Sequence, residues 1–152
     1  AEPVAPGCAS PRAEALDLLA TSEELQRIVN LVGVEALSAE QRWTLESAAL
    51  IKEGLLQQSA TDEVDSFASP EKQFVLLSAL LRIHREGMQL VKLGAPARRL
   101  LAMQLLSQAR RWKSQHGSDD LGALREKVSR IPAEFAEIAV DYAPQAPAAD
   151  LP

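Results

Sequence analysis

Helix-start and helix-stop signals recur along this chain at short intervals, and they constrain its fold more than any other feature. The dipeptides Ser10-Pro11 and Ser69-Pro70 are typical of helix starts, because a proline at the first helical position gives up only an N–H that would be unpaired. The residues 38–41 have the spacing of a capping box, S-A-E-Q. Gly33 and the Gly94-Ala95-Pro96 run are typical of helix ends. The sequence therefore predicts helices joined by short turns.

Composition favours helices over strands. Alanine and leucine together supply 48 residues, whereas valine, isoleucine and threonine supply 17 and aromatic residues only 4%. Alanine and leucine lose little freedom in a helix, and branched or aromatic residues suit a pleated sheet. We therefore predict an all-α protein, a helical bundle of about five to six helices with an N-terminal αα-hairpin. The bundle is expected over residues 11–142, between a flexible lead-in at 1–10 and a flexible tail at 143–152.

The first two helices are predicted to form the hairpin. Apolar residues at helical spacings continue from Pro11 to Gly33, although residues 21–24 could cap a second helix within this run. A connection of about five residues leads to a helix over 39–56, so the two helices must be antiparallel neighbours. The tip consists of Val34, Glu35, Ala36 and Leu37. Because nothing in the sequence obviously covers Val34 and Leu37, we expect a contact with another molecule there.

The later signals predict the rest of the bundle. Helices are expected over residues 70–93, 96–114, 119–130 and 132–142. In the second helix the residues predicted to face the core are Trp43, Leu50, Ile51 and Leu55. In the first helix the recurring apolar positions are Leu16, Leu19, Ile28, Val29 and Val32.

The sequence lacks the motifs of several classes of function. The single Cys8 cannot form an internal disulfide or a cysteine-based zinc site. The glycine spacing at residues 117–122 matches a phosphate loop, but the Lys and Ser/Thr that contact phosphate and magnesium do not follow. His84 and His116 lie in different segments, and no metal site or catalytic residue is predicted. Without a long apolar run or a signal-peptide pattern, the chain is expected neither to span a membrane nor to be exported.

Three further segments allow more than one interpretation. The basic run at 110–113 (RRWK) could bind nucleic acid, but the net charge of −5 favours a solvated helix end. Asp62, Glu63 and Asp65 could hold a hard cation, although a solvated acidic loop is favoured. The segment 55–60 (LLQQSA) places two amides beside small residues, a combination that can hydrogen-bond and accommodate a flat heterocycle, with a capped surface turn as the alternative.

An ordered series of motifs resembles one known family. The residues 24–33 (ELQRIVNLVG), 55–60 (LLQQSA), 63–65 (EVD) and 71–73 (EKQ) resemble the family pattern ELQxIVxLVG, FLQQNA, VDxYC, EKQ. That pattern is typical of the C-terminal helical domain of the catalytic A (alpha) subunit of V/A-type rotary ATPases. More distantly, residues 34–41 occupy the place of the DELSEED loop in the beta subunit of F-type ATP synthases. The similarity runs from about Arg12 to Lys113 and more faintly to Phe135, which is most of the chain.

The resemblance implies a role within a larger rotary machine. The family's P-loop, catalytic glutamate and arginine finger lie upstream or in a neighbouring subunit, so this chain alone should not hydrolyse ATP. ATP or ADP with magnesium is implied for the intact subunit, and no cofactor for this chain alone. The implied adenine-pocket residues are Gln57, Gln58, Ser59 and Ala60, and the implied rotor contact is the tip, Val34, Glu35, Ala36 and Leu37.

The implied partners are the remainder of the A subunit, the adjacent B subunits and the central rotor stalk, without nucleic acid or direct membrane contact. The implied location is cytoplasmic, in the soluble head of a membrane-bound complex. The tip is less charged than the DELSEED loop, which favours steric pushing over electrostatic guidance. The alternative is a free-standing helical adaptor related to this domain, with no enzymatic role.

Overall fold

The computed structural model describes residues 10–56, 69–117 and 119–142. No strand occurs among these residues, and the prediction of an all-α protein is confirmed. The α-helices are α1 (Pro11–Val32), α2 (Ala39–Ile51), α3 (Pro70–Lys92), α4 (Ala97–Leu101), α5 (Gln104–Gln115), α6 (Leu121–Ser129) and α7 (Ile131–Tyr142). A 3₁₀ turn (Val34–Ala36) precedes α2, and a π-helical turn (Lys52–Leu56) extends it. The predicted lead-in and tail fall largely or wholly outside the described residues.

Three of the predicted helix starts, at Ser10, Ser38 and Ser69, are confirmed by capping bonds. The Ser10 hydroxyl accepts a hydrogen bond from the Ala13 amide at 3.1 Å, and Ser69 caps α3 in the same way. At α2 both halves of the capping box form, with Ser38 Oγ accepting from the Gln41 amide and Gln41 Oε1 accepting from the Ser38 amide. Each such cap contributes about 1 kcal/mol to helix stability. These ends are therefore determined by local sequence.

Helix α1 is continuous, and the possible second start at residues 21–24 is not used. Ser22 is buried, and its hydroxyl donates to the Leu19 carbonyl at 2.8 Å instead of capping a new helix. The helix buries one stripe along its length, made of Ala15, Leu18, Ser22 and Leu25. Several residues of the stripe indicated by the sequence therefore face solvent: Leu16, Ile28 and Val32 are exposed.

The helix predicted over 96–114 is broken between α4 and α5. Met103 is extended, with φ −67° and ψ 134°, and it separates the two helices. Leu100, Leu105 and Leu106 are all buried. In one straight helix, at about 100° per residue, these three side chains would point to widely separated directions. The break lets all three reach the same core, which no local stop signal indicated.

The core lies around α2 and α3, which pack against each other most extensively. Trp43, Leu50 and Ile51 of α2 are almost wholly buried, as predicted. The indole Nε1 of Trp43 donates to the carbonyl of His84 at 2.9 Å, so its one polar atom is satisfied. Among the described residues, no helix is both long enough and apolar enough to cross a membrane.

Candidate functional site

The hairpin tip is a short, hydrogen-bonded turn between α1 and α2. Gly33 ends α1 with φ 95°, a conformation that favours glycine. The Ala36 amide donates to the Gly33 carbonyl at 3.2 Å, and the Leu37 amide to the Val34 carbonyl at 3.0 Å. With the capping box directly after it, the turn is fixed at both ends. The turn therefore joins the two helices in one defined geometry.

The predicted tip residues differ in exposure. Val34, Glu35 and Ala36 are exposed, as expected. The expectation that Leu37 lies uncovered is wrong, because only 7% of its surface is accessible. Leu37 follows the 3₁₀ turn with φ −87° and ψ 144°, and this extended residue turns inward before α2 begins. A leucine next to a helix start is buried or exposed according to the turn geometry, which the sequence pattern does not specify.

Three apolar residues of α1 enlarge the exposed tip. Leu31 is 83% exposed, Val32 66% and Ile28 38%. Together with Val34 they form what we call the tip surface. One sequence signal could have predicted their exposure. Helix α1 has more apolar residues than its buried stripe contains: the stripe uses residues 15, 18, 22 and 25, and Ile28, Leu31 and Val32 are not part of it. An exposed apolar patch of this kind marks an interaction site.

At its other end α2 continues into the π-helical turn, which α5 holds in place. The buried Lys113 donates from Nζ to the Leu55 carbonyl at 2.8 Å. The fully buried Lys72 of α3 donates from Nζ to the Lys113 carbonyl at 2.6 Å. Gly54 packs close to α5, where an added Cβ would lie 3.5 Å from the Ala109 carbonyl oxygen. Polar and steric contacts thus fix the turn against two helices.

Arg110 adds an ionic contact to the same turn. Its guanidinium contacts both Glu46 of α2 and Glu53 of the π-helical turn. The two carboxylates and the hydrogen bonds to them raise the pKa of Arg110, against the opposing effect of its burial. The group therefore stays charged and joins the second and fifth helices.

The predicted adenine-pocket residues Gln57, Gln58, Ser59 and Ala60 lie outside the described residues, as do Asp62, Glu63 and Asp65. The described chain reaches Leu56, the last residue of the π-helical turn and the direct neighbour of Gln57. Single-turn π-helices occur often at functional sites. The π-helical turn is thus the support from which the predicted pocket segment begins.

Comparison with known proteins identifies the family. A family model described as the C-terminal domain of V and A type ATP synthase matches residues 5–98. The chain belongs to this family.

The ATP synthase relatives agree with this assignment. The chain is 52% identical to a V-type ATP synthase alpha chain of Nitrosococcus oceani, over 87% of this chain and 22% of that protein. It is 35% identical to the V-type ATP synthase alpha chain of Halothermothrix orenii, over 84% of this chain and 22% of that protein. It is 34% identical to the A subunit of the A-type ATP synthase of Methanosarcina acetivorans, over 90% of this chain and 23% of that protein. The resemblance is confirmed, and the chain spans about a fifth of these relatives.

In this ATP synthase domain the basic run at 110–113 is largely built into the fold. Arg110 is paired with two carboxylates. Trp112 and Lys113 are 2% and 5% exposed. Of the four, Arg111 is exposed and Arg110 is half-buried. The interpretation of the run as a solvated helix end is therefore incomplete, because two of its members are buried.

The two histidines have structural partners. Ser47 Oγ donates to the Trp43 carbonyl at 2.8 Å, so the Nδ1–H of His84 donates to Ser47 Oγ at 2.9 Å. Burial lowers the pKa of His84 because it disfavours the charged imidazolium, with a smaller raising effect from Glu14. His116 Nδ1 lies 2.8 Å from Asp120 Oδ2. Within the ranges that the structure describes, no group of three histidine, cysteine, aspartate or glutamate side chains could hold a metal ion.

Proposed function

We propose that this domain acts as the lever of the catalytic A subunit of a rotary ATPase or ATP synthase, with the tip surface against the central stalk. The observation that carries this proposal is the position of α2 between two fixed ends. Its first residue follows the capped tip, and its last leads into the π-helical turn before Gln57. A helix of 13 residues spans about 20 Å. A displacement at one end is therefore passed to the other along a hydrogen-bonded rod.

The packing of α2 supports this role. Its inner face is buried against α3 and α1, with Trp43 at one end and Ile51 at the other almost inaccessible. Close-packed cores transmit displacement because they have few voids to absorb it. The side chains of the tip surface itself are apolar, and charged groups, among them Glu35 and the Arg42 guanidinium that donates to the Val34 carbonyl, lie beside it. An apolar contact of this kind supports steric pushing against the stalk.

The segment 57–60 would line the adenine side of the nucleotide site in the intact subunit. ATP or ADP with magnesium would supply the phosphoryl chemistry there, and the phosphate-binding residues would come from the upstream part of the subunit. What supports a contribution from this chain is the fixed start of the segment: Lys113 holds the carbonyl of Leu55, two residues before Gln57. The amides of Gln57 and Gln58 can donate and accept hydrogen bonds at a heterocycle edge.

The partners that follow from this role are the rest of the A subunit, the adjacent B subunits and the stalk. The location that follows is the cytoplasmic head of a membrane-bound complex. The three relatives named above are ATP synthase subunits, so the free-standing adaptor has no support among them.

Variants of the assembled enzyme test the proposal. Leu31→Asp with Val34→Ser is expected to lower ion pumping per ATP hydrolysed at least severalfold, because a charged and shortened tip loses its apolar contact with the stalk. Val140→Asp is the matched control, since Val140 is 78% exposed and belongs to α7, a different helix from those that carry the tip surface. In the same enzyme, Gln57→Ala with Gln58→Ala should raise KM for ATP. Equal coupling in the tip variant and the control would show that the tip surface does not contact the stalk.

A further inference from the structure

A pocket of about 370 Å³ lies between α5 on one side and α6 and α7 on the other. Helices α6 and α7 pack against α3 and make only slight contact with α5, so the space between them stays open. One face of α5 forms the first wall, and Lys127, Arg130 and Glu134 belong to the second. Small-molecule sites usually have volumes of about 300–1,000 Å³, and this pocket falls in that range. We call it the basic pocket.

Two cations of the basic pocket have no carboxylate in contact. Arg111 and Lys127 both line it, and among the described residues no carboxylate lies within ion-pair distance of either. The Nε of Arg111 donates to the Ser107 carbonyl at 3.3 Å. The Nζ of Lys127 donates to the Oε1 of Gln115 at 3.3 Å. Two positive charges therefore line one pocket without being neutralised, in a chain whose net charge is −5.

A third cation and one carboxylate complete the charged lining. Arg130 contacts Glu126 at 3.3 Å, but both side chains are about 70% exposed, and such a pair contributes little. The half-buried Glu134 lines the same pocket beyond ion-pair distance of all three cations. The lining thus carries three positive charges against one negative charge.

Trp112 adds a buried hydrogen-bond donor to the lining. Only 2% of its surface is accessible. The indole N–H of Trp43 donates to the His84 carbonyl, whereas that of Trp112 has no hydrogen-bond partner among the described residues. Buried polar groups normally have such a partner. The nitrogen of Trp112 remains accessible to solvent, so an acceptor atom in the pocket can bond to it.

We propose that the basic pocket binds a small soluble anion built from linked phosphate groups. Guanidinium and ammonium groups form their strongest hydrogen bonds with phosphate and carboxylate oxygens. The wall from Leu105 to Gln115 is ten residues of one helix, about 15 Å, which is longer than a single phosphate needs. Arg111 in one wall and Lys127 and Arg130 in the other can then contact different phosphates of one chain. A concave site favours such a compact polyanion over an acidic peptide, whose charges are spread along an extended backbone.

This pocket is separate from the segments used in the proposed function. The family model ends at residue 98, and every residue that lines the pocket lies after that point. A bound polyanion would join α5 to α6 and α7, and α5 is the helix that holds the π-helical turn. Linked phosphates are common to free polyphosphates and to nucleoside di- and triphosphates, so either source can supply the ligand.

Titration of the 152-residue chain with tripolyphosphate tests the proposal. Nitrogen–proton NMR spectra resolve the indole N–H groups of the two tryptophans, and calorimetry measures the affinity. We expect one saturable site, at which the Trp112 indole peak moves. The Trp43 indole peak should stay in place, because its N–H is already bonded and the side chain is wholly buried.

Variants locate the binding in the pocket. Arg111→Gln with Arg130→Gln is expected to lower the affinity at least severalfold. The matched control is Arg27→Gln with Arg98→Gln, which removes the same charge from exposed residues outside the pocket. Glu134→Gln should raise the affinity severalfold, because it removes the one carboxylate of the lining. A misfolded variant would not show such a gain.

ATP in place of tripolyphosphate distinguishes the two sources of the ligand. Equal affinities would indicate that the phosphate chain alone is recognised, and tighter binding of ATP that is lost in the Arg111→Gln, Arg130→Gln variant would indicate a nucleotide. Both results support a phosphate site in the pocket.

Three results would overturn the proposal. One is a Trp112 peak that does not move, or binding that does not saturate at millimolar tripolyphosphate. Another is an equal loss of affinity in the matched control, which would show that the anion only responds to overall charge. The third is tighter binding of a hexaglutamate peptide, which would make the pocket a contact for an acidic protein segment. None of these measurements involves the stalk or the tip variants, so the two proposals fail independently.

Discussion

Gly87 lies where the indole of Trp43 packs against α3, and the absence of a side chain there is a condition of the fold. A Cβ built at this position would lie 2.2 Å from two ring carbons of Trp43. The ring cannot move aside easily, because it is wholly buried and its Nε1 is bonded to the His84 carbonyl. The contact thus explains a glycine in the middle of a long helix, where this residue normally costs stability.

Gly87→Ala is therefore expected to lower the free energy of unfolding by about 2 kcal/mol, the usual cost of overpacking a core. Urea denaturation followed by the fluorescence of the tryptophans would measure it. The matched control is Gly122→Ala in α6, where an added Cβ meets nothing within 4 Å. That control should be neutral or stabilising by up to about 1 kcal/mol. If the two substitutions had equal effects, the close contact with Trp43 would not be the reason for Gly87.

His84 makes the stability of the domain depend on pH. Burial lowers its pKa in the folded state below the ordinary value of 6.5, so the unfolded chain binds a proton more readily. Its contribution is fully present above pH 6.5 and is lost as the pH falls from there through the folded-state pKa. We expect the free energy of unfolding to fall between pH 7 and pH 5, and to fall less in His84→Gln. Equal slopes in both proteins would contradict this assignment.

At the scale of elements, the contact between α5 and the π-helical turn is one that the sequence pattern did not indicate. The sequence pattern groups Lys113 with a basic run, yet its Nζ holds the Leu55 carbonyl and its side chain is buried. Lys113→Met removes that donor and is expected to cost at least about 1 kcal/mol, the penalty for a buried carbonyl without its partner. Denaturation of Lys92→Met, exposed in the last turn of α3, is the comparison. A loss no greater than in that variant would mean the bond contributes nothing.

Three helix starts could be predicted because their causes are local. Ser10, Ser38 and Ser69 act on amides three residues away, and their capping bonds are present. The break at Met103 and the burial of Leu37 could not be predicted, because both depend on how the helices pack together in the core. Which apolar residues of α1 are exposed could not be predicted either, because α1 has more of them than one buried stripe can contain. Propensity and spacing determine that a helix forms, whereas the neighbours determine which of its faces is covered.

At the scale of the whole molecule, sequence motifs indicate the family but little of the candidate site's geometry. The turn between α1 and α2 lies where the sequence predicts it, while its apolar surface lies mainly on Ile28, Leu31 and Val32. These residues belong to the motif ELQRIVNLVG, which indicates family membership without indicating exposure. The apolar groove between the first turns of α1 and α3, lined by Leu16 and Phe74 among others, draws on helices that are distant in sequence, so no single pattern predicts it. Both surfaces become visible only when α1 is placed against α2 and α3.

The π-helical turn at Lys52–Leu56 also has a consequence for how the length of this domain can vary. A π turn closes its hydrogen-bonded loop with one residue more than an α turn, so the last residues of Lys52–Leu56 are rotated by about 100° from the directions that an uninterrupted helix would give them. Loss of one residue within the turn would restore a regular helix there and leave the buried residues of α2 in place. Loss of a residue anywhere earlier in α2 would rotate Trp43 or Ile51 out of the core. Deletions should therefore cost less stability at the turn, where they disturb its contacts with α3 and α5, than anywhere earlier in α2.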